Sequence, residues 1–429
     1  MTAAACARLA ASVVLFVGAI AGGTSVAADH RASPAGCFAA PRATTDLRDG
    51  QPAQDDPVAR SWTYRVRVAD EATASRASSA SPFRGVSAAS PWDGANRFVA
   101  TGDGMWTPGE YFHAGAGIVV LGGGNERDAA VRLRQAYARL SAASWLDVEG
   151  GKRLVRWGSG YAFTPTGLLD PPRDATDPQD RLGLNEGTAL AQVALFRGET
   201  ALTVAAAAPR AWRQSSAAPD RLFAAKLRTS TRGFEIAFVA SAASGRRPSA
   251  GANFTHVLGD RFEWHGEWLL HDRISPWIAR LEPSASGGRT TSALIGLQYT
   301  APNGVNMVLE AYRDGNGLDA AAWDRLVSGA RAALGQPGAP SAASARPSRR
   351  DFVFSRVARA STTSRWRPEL TMILGVDDGS VTIVPTSGWS IREHVEVYVR
   401  AVALSGPPES EASAAPLRGT VMVGLAVRY

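Results

Sequence analysis

The sequence predicts an all-β protein, a closed antiparallel transmembrane β-barrel, and three observations lead to that prediction. Apolar residues recur at every second position over segments of about 9 to 12 residues, the length that a tilted strand needs to cross a membrane. The connections between these segments alternate between tight turns and long polar loops. The chain also begins with an apolar segment typical of exported proteins and ends on a strand-like segment.

Composition sets the first limits. The chain has 429 residues, of which 45% are hydrophobic and 20% are charged, so it can bury a substantial core. Its two cysteines exclude a disulfide scaffold and a four-cysteine zinc site. The formal net charge of +7 is small for this length, and we predict no nucleic-acid partner.

The two-residue period is clearest around residue 265. Phe262, Trp264 and Trp268 fall on one face of the predicted strand, and Glu263, His265 and Glu267 fall on the other. The same period recurs in residues 234–240, 292–299, 366–376 and 391–400. Soluble strands usually have about five or six residues, so the length of these segments favours strands that cross hydrocarbon.

The connections have two lengths in alternation. Short glycine-containing turns lie at 197–198, 232–233, 259–260 and 302–304, and long polar connections cover 158–187, 209–220, 241–251, 271–290 and 314–350. Outer-membrane barrels have short turns on the periplasmic side and longer loops on the outside. The alternation therefore predicts a barrel. Strand-like segments number about fourteen after residue 128 and two to four before it. We predict about 16 strands, with 14 to 18 as the range, because an even number returns both termini to one side.

The predicted domain organisation has three parts. Residues 1–27 are typical of a secretory signal peptide, with Arg8 before an apolar stretch and small residues at the cleavage site. Residues 28–60 are polar and without pattern, and we predict a disordered lead. The barrel is predicted to cover 61–429, with the weakest strand pattern in 61–127.

The last residues predict how the barrel closes. Val423, Leu425, Val427 and Tyr429 alternate with smaller or polar residues, and the sequence stops on the aromatic ring. An open strand edge in lipid leaves backbone groups unsatisfied, so a final strand must pair with the first. This terminus resembles the assembly signal of outer-membrane barrels, which implies the barrel-assembly machinery as a partner.

Twelve charged or titratable residues fall on the inward face by strand parity. These candidates for the lumen lining are Arg65, Arg67, Lys226, Arg228, Glu235, Glu263, His265, Glu267, Glu310, Arg367, Glu396 and Arg400. Rings of charge determine ion selectivity in channels. Both signs are present, and the slight excess of arginine favours anionic solutes.

Glu263, His265 and Glu267 have the residue types of a metal site. No second histidine is placed on a neighbouring strand, so we predict a hydrogen-bonded patch rather than a metal ligand set.

The 314–350 connection contains a predicted amphipathic helix. Asp319 can cap it, and Trp323, Leu326 and Val327 lie at helical spacing. Such a helix must bury its apolar face. Two placements remain open, a constriction folded into the pore and a cap over the barrel rim.

No catalytic, cofactor-binding or metal site is predicted. Asp170, Asp174, Asp177 and Asp180 are spaced so that carboxylates could hold a divalent cation, but no glycine-turned calcium loop accompanies them, and a solvated acidic loop is the alternative. The nucleophile elbow, zinc-protease and phosphate-loop motifs are absent from the sequence. A barrel enzyme would need a serine and a histidine that lie together at the rim and face lipid, and His271 has no obvious serine partner in the sequence.

One run of residues carries a resemblance to known proteins. Residues 151–161, GKRLVRWGSGY, are followed by prolines and aspartates in 164–178, and this segment resembles one in poorly characterised porin-like outer-membrane barrels of bacteria. Residues 310–317 and 376–380 also resemble segments of such barrels. The resemblance spans about 128–429 and implies a channel of 14 to 18 strands, without implying a solute.

Together these features predict a pore in the bacterial outer membrane for passive diffusion of small polar or ionic solutes. Its other partners would be membrane lipid and the assembly machinery. Two alternatives remain, a closed barrel that serves as a structural or surface-interaction protein and, with less support, a lipid-modifying barrel enzyme.

Overall fold

A computed structural model shows one antiparallel sheet of 18 strands that closes on itself. The structure describes residues 61–79, 81–83, 92–123, 130–209, 221–273, 288–333, 349–359 and 364–428. Each strand pairs with its neighbours in the chain, and the first strand pairs with both the second and the last. The predicted signal peptide 1–27 and lead 28–60 lie outside the described residues.

The strands alternate in direction around the barrel. They are β1 (Ser61–Ala77), β2 (Trp92–Thr107), β3 (Phe112–Gly123), β4 (Ala130–Ala143), β5 (Leu146–Arg153), β6 (Thr188–Arg197), β7 (Thr200–Ala207), β8 (Leu222–Thr231) and β9 (Phe234–Ala243). The second half consists of β10 (Ser249–Leu258), β11 (Phe262–Asp272), β12 (Arg289–Thr300), β13 (Val305–Arg313), β14 (Asp351–Arg359), β15 (Trp366–Gly375), β16 (Val381–Arg392), β17 (Val395–Ser405) and β18 (Leu417–Arg428). Within the described residues, two helices, α1 (Ala320–Ala332) and α2 (Glu411–Ala414), lie in connections between strands.

The strand number confirms the predicted fold class and corrects the preferred count. Eighteen strands lie at the upper limit of the predicted range, and 16 is too low. Three strands precede residue 128 and fifteen follow it. Weakly patterned strands are easily missed: β5 has eight residues, and Gly151 within it has a φ of +130°, which interrupts the alternation.

Apolar side chains cover the outer face of the barrel. Trp264 is 39% exposed and Ile295 is 51% exposed, whereas the neighbours His265 and Leu294 are almost completely buried on the inner face. An outward apolar band and a polar interior are what a bilayer requires of a spanning barrel. The apolar face of the predicted strands is therefore the outer one.

The closing seam joins β1 to β18. Val68 lies opposite Val427, and Ala72 lies opposite Val423. Val423 and Leu425 are exposed on the outer face of this seam. Tyr429, the last residue of the predicted assembly signal, lies outside the described residues.

The two ends of the barrel differ in their connections. We name the end with the tight turns, such as 198–199 and 232–233, the turn end, and the opposite end the loop end. Arg232 and Gly233 have φ values of +46° and +80°, which suit a two-residue hairpin between β8 and β9. The longest connections, including 154–187 and 314–350, lie at the loop end.

Outward aromatic rings gather near the turn end. Trp62 stacks on Trp106 with ring centroids 5.7 Å apart, and Trp366 lies opposite Trp389. Amphipathic rings are favoured at the membrane interface, so this belt fits a girdle. Trp389 lies within β16.

Helix α1 packs against other loops at the loop end. The Asp319 carboxylate accepts a hydrogen bond from the Ala322 N–H at 2.9 Å, which caps the helix as predicted. Its apolar face lies in a buried cluster formed by Phe83, Leu318, Ala322, Trp323, Leu326, Val327, Ala330 and Ala414. The Trp323 indole N–H donates to the Glu409 carbonyl at 2.6 Å. These contacts correspond to the rim-cap placement.

Among the described residues, no helix is both long enough and apolar enough to cross a membrane.

Candidate functional site

The interior of the barrel is crossed by residues 154–187, which connect β5 and β6 and which we name the inner segment. Thr166 in this segment contacts Glu267 on β11, and Thr176 contacts Arg400 on β17. These two strands lie on different sides of the 18-stranded ring. The inner segment therefore divides the lumen instead of lying over the rim.

Glu267 fixes the first part of the inner segment. Its carboxylate accepts hydrogen bonds from the N–H of Gly160 at 2.6 Å and from the N–H and hydroxyl of Thr166, both at 2.7 Å. The side chain of Glu267 is 4% exposed. Hydrogen bonds to a carboxylate are roughly twice as strong as neutral ones, so this residue anchors the segment firmly.

Glu310 on β13 makes a second carboxylate anchor. It accepts hydrogen bonds from the backbone N–H groups of Tyr161 and Ala162, the latter at 2.9 Å. Its Oε1 also lies 2.9 Å from Nε2 of His265. Glu310 is completely buried, and these donors compensate the loss of water around its charge.

The Trp157 carbonyl is bound by two inward side chains. Lys226 Nζ on β8 donates to it at 3.0 Å, and Asn253 Nδ2 on β10 donates at 3.1 Å. Asn253 also donates to the Thr166 hydroxyl at 2.7 Å. Four strands, β8, β10, β11 and β13, thus hold one stretch of the inner segment by side-chain hydrogen bonds to its backbone.

Glycines allow this close approach. A Cβ atom on Gly158 would lie 2.6 Å from Thr164 Cβ and 2.9 Å from Glu267 Oε1, and one on Gly160 would lie 2.0 Å from the Phe163 carbonyl oxygen. The WGSGY run noted in the sequence therefore has a steric reason.

Asp170 stabilises the inner segment from within. Its carboxylate accepts hydrogen bonds from the N–H of Trp157 at 2.6 Å and from the N–H of Gly158 at 3.4 Å. Burial raises the pKa of the Asp170 carboxyl to about 6. Asp170 is thus a buried acceptor, not part of a solvated acidic loop.

The described residues contain no group of three or more His, Cys, Asp or Glu side chains arranged to hold a metal ion.

Arginines fix the other half of the inner segment. Arg181 pairs with Glu369 on β15, which also pairs with Arg356 of β14 at 2.5 Å. Arg400 donates to the Thr176 carbonyl at 2.7 Å. The wall therefore holds the first half of the segment mainly by carboxylates. It holds the second half by Glu369, which binds Arg181, and by Arg400, which binds the Thr176 carbonyl.

The other predicted lumen residues form pairs along the inner wall. Arg228 pairs with Glu235 at 3.2 Å, and Glu396 pairs with Arg367 at 3.0 Å and with Arg428 at 2.6 Å. Most of the twelve candidates therefore hold the inner segment or one another.

Two predicted lumen residues lie on β1. Arg65 pairs in register with Asp103 of β2, and Arg67 pairs with Thr101. Both arginines lie on the same face of β1 as Ala69 and Glu71, which are buried inside the barrel.

The predicted patch of Glu263, His265 and Glu267 has two separate sets of contacts. His265 Nε2 faces Glu310, and its Nδ1 lies 3.8 Å from Glu263 Oε1. Glu267 binds the inner segment instead.

Sequence analysis missed two anchors, Asn253 and Glu369. Strand parity was the available signal, because Glu369 follows Arg367 by two residues on the same face.

Solved structures of known proteins share this fold, although no similar sequence was found. No model of a known protein family matches the sequence, and no curated protein matches it. The barrel is similar to a BenF-like porin from Pseudomonas fluorescens Pf-5, with 9% identity, 86% of this chain and 98% of that chain covered, and a TM-score of 0.54. The chain has the fold of a bacterial outer-membrane porin.

Two further porin-fold structures give similar values. Pseudomonas aeruginosa OccD3 (OpdP) is 10% identical, with 87% of this chain and 92% of that chain covered at a TM-score of 0.55. Acinetobacter baumannii OccAB1 is 10% identical, with 86% and 96% covered at a TM-score of 0.54. The similarity in fold thus extends over nearly the whole barrel.

A serine does lie beside His271, contrary to the sequence analysis. Ser292 Oγ is 2.9 Å from His271 Nε2, because β11 and β12 pair in this region. Both side chains are buried, and Ser292 also accepts a hydrogen bond from the Gly315 N–H at 2.9 Å. The pair lies on the inner face of the porin fold, away from lipid, so it does not meet the geometry of a lipid-modifying barrel enzyme.

Proposed function

We propose that this protein is an outer-membrane channel for passive diffusion of small polar or ionic solutes, and that the inner segment forms its constriction. The proposal rests on one observation: the inner segment crosses a closed barrel, and inward side chains of the wall bind both halves of this segment. A segment fixed in this way would narrow the lumen at a constant position.

The charges of the interior support selection among solutes. Carboxylates concentrate where β11 and β13 meet the inner segment, and arginines concentrate near β14, β15 and β17. Opposed charges across a pore create a transverse field, which orients polar solutes and favours them over apolar ones of equal size.

Export and insertion complete the proposal. Residues 1–27 would serve as a cleaved signal peptide, and the assembly machinery would insert the barrel using the β18 segment that includes Val423, Leu425 and Val427. The loop end would face the outside, as in barrels with short periplasmic turns.

Single-channel recording in planar bilayers tests the function. Purified full-length protein is expected to produce stepwise openings. Glu267→Gln combined with Glu310→Gln should increase the mean conductance or the open-channel noise, because the inner segment loses its carboxylate anchors. Heat-modifiable, folded protein that produces no steps would overturn the channel proposal.

A closed structural barrel is the second candidate. The buried cluster around Phe83, Trp323 and Ala414 covers part of the loop end, which favours this alternative. Electrically silent, folded barrels that become conducting after removal of residues 320–332 would support it.

A further inference from the structure

A cavity of about 410 Å³ lies at the loop end, between the inner segment and the wall formed by β8 to β13. Thr164, Pro165 and Leu168 of the inner segment line one side of it. Its volume falls within the range of about 300 to 1,000 Å³ that is typical of small-molecule sites.

Asp272 is one of the residues that line this cavity. Its Oδ2 accepts a hydrogen bond from the Arg247 N–H at 2.8 Å, which fixes the carboxylate. Its Oδ1 is buried and has no hydrogen-bond partner among the described residues. The residue is 7% exposed, so this oxygen has lost bulk water without gaining a donor.

A second carboxylate, Asp314, lines the same cavity. Asp272 ends β11 and Asp314 directly follows β13, so one strand, β12, separates them. Two strand spacings are about 10 Å, which lets both side chains serve one small molecule. The Asp314 carboxylate is held in place as well, because its Oδ1 accepts a hydrogen bond from the Asn316 N–H at 2.8 Å. Burial raises the pKa of this carboxyl.

The remaining lining is rigid and amphipathic. His271 and Ser292 are fixed to each other and to backbone groups, with His271 Nδ1 2.8 Å from the Asp272 carbonyl oxygen. Leu222 and Leu269 supply an apolar surface on the β8 and β11 walls. An organic solute with a short hydrocarbon part fits such a lining better than a bare metal ion does.

Two arginines at the cavity balance the two carboxylates. Arg246 and Arg247 line it, and Arg247 is exposed, whereas Asp272 is buried. The aspartates would attract a solute with only a positive charge, but the arginines would repel it. A solute with a positive and a negative group gains from both.

We propose that this cavity is a binding subsite for small zwitterionic solutes, with an ammonium group on Asp272 and Asp314 and an anionic group towards Arg247. The subsite deepens the proposed channel function, since it would concentrate amino-acid-like solutes at the loop end before passage. Its binding chemistry can be measured separately from conduction.

Equilibrium dialysis of the detergent-solubilised full-length protein tests the subsite. L-alanine serves as the zwitterion, ethylamine as the cation and acetate as the anion. We expect L-alanine to bind at least threefold more tightly than either other probe. Asp272→Asn should weaken alanine binding at least fivefold, and Arg247→Ala, an exposed change, should weaken alanine binding but not ethylamine binding.

Asp324→Asn is the matched control. Asp324 is exposed on α1 at the loop end and does not line the cavity, so its variant should bind L-alanine as the wild type does. If Asp272→Asn does not fold, Asp314→Asn tests the same carboxylate pair. Equal affinity for ethylamine and L-alanine, or unchanged alanine binding in the aspartate variants, would overturn the proposal.

Planar-bilayer recording separates the two proposals. Alanine binding by a protein that does not conduct would refute the channel and leave the subsite standing. Conduction without alanine binding would refute the subsite alone.

Discussion

Single buried carboxylates hold the inner segment in place inside this barrel. Glu267 and Glu310 are buried, yet each accepts several hydrogen bonds from the inner segment. A buried charge is tolerated only when donors replace its water. Most of these donors are backbone N–H groups of the inner segment, which would otherwise lack an acceptor in the lumen. Each contact therefore satisfies both the buried carboxylate and the buried N–H group.

Glu310→Gln tests one anchor. The NH₂ group of the new amide would face backbone N–H groups that now donate to the carboxylate, so at least one hydrogen bond is lost. We therefore expect the local stability of the inner segment to fall by about 1–3 kcal/mol. Limited trypsin digestion after Arg173 and Arg181 should become several-fold faster. The exposed Glu110→Gln change at the turn end is the control, and equal digestion of both variants would contradict the anchoring role.

Asp170 predicts a pH dependence. Burial raises its pKa from 3.8 to about 6. Because the folded chain then binds the proton more tightly than the unfolded chain, the contribution of Asp170 to stability falls as pH rises from about 3.8 to about 6 and stays low above that range.

Urea unfolding in detergent at pH 4 and pH 8 measures this effect. The stability of the wild type relative to Asp170→Asn should be about 1–3 kcal/mol greater at pH 4 than at pH 8. A difference that does not change with pH would show that Asp170 has the same pKa in both states.

At the scale of elements, the two long loop-end connections have different positions. The inner segment enters the barrel because its backbone finds acceptors and donors on the wall. Helix α1 stays at the loop end because its apolar face finds Phe83, Leu318 and Ala414 there. Both segments are long and polar in the sequence, and only the inner segment forms the proposed constriction.

Trp323→Ala should separate these roles. Loss of a buried tryptophan typically costs about 3–5 kcal/mol, and here the loss would fall on the α1 cluster. Hydrogen exchange in residues 320–332 should increase strongly, because the helix opens locally more often. Single-channel conductance should stay at the wild-type value, because α1 does not form the proposed constriction. A large change in conductance with unchanged exchange would assign the constriction to α1.

At the scale of the whole molecule, the closing seam determines whether a barrel forms at all. Tyr398 of β17 lies over Gly424 of β18, where a Cβ atom would lie 2.3 Å from the ring. The Tyr398 hydroxyl donates to Glu71 of β1 at 3.2 Å, and Glu71 pairs with Arg97 of β2 at 2.6 Å. One ring thus links the last strands to the first ones.

Gly424→Val should impair closure. The added side chain displaces the Tyr398 ring and breaks its bond to Glu71, so we expect at least a twofold lower yield of heat-modifiable protein on refolding into vesicles. Gly122→Val is the control, because a Cβ atom at Gly122 meets nothing within 4 Å. Equal yields from the two variants would show that the ring over Gly424 is not required.

Much of this architecture could be predicted from local pattern. The period of two identified β11, β12, β17 and β18 and the face that each presents to lipid, because side chains of a strand alternate strictly. The same parity placed Glu267 and Glu310 inside. It could not reveal their partners, because these come from residues more than 100 positions away along the chain.

The sequence by itself determined that this chain is a barrel with an apolar exterior and a charged interior, because the alternation of apolar and polar residues and the lengths of the turns are local properties. Tertiary structure decided which loop enters the lumen, which residues hold it, and that 18 strands close the ring. Those outcomes depend on hydrogen bonds and packing between distant segments, and no local period encodes them.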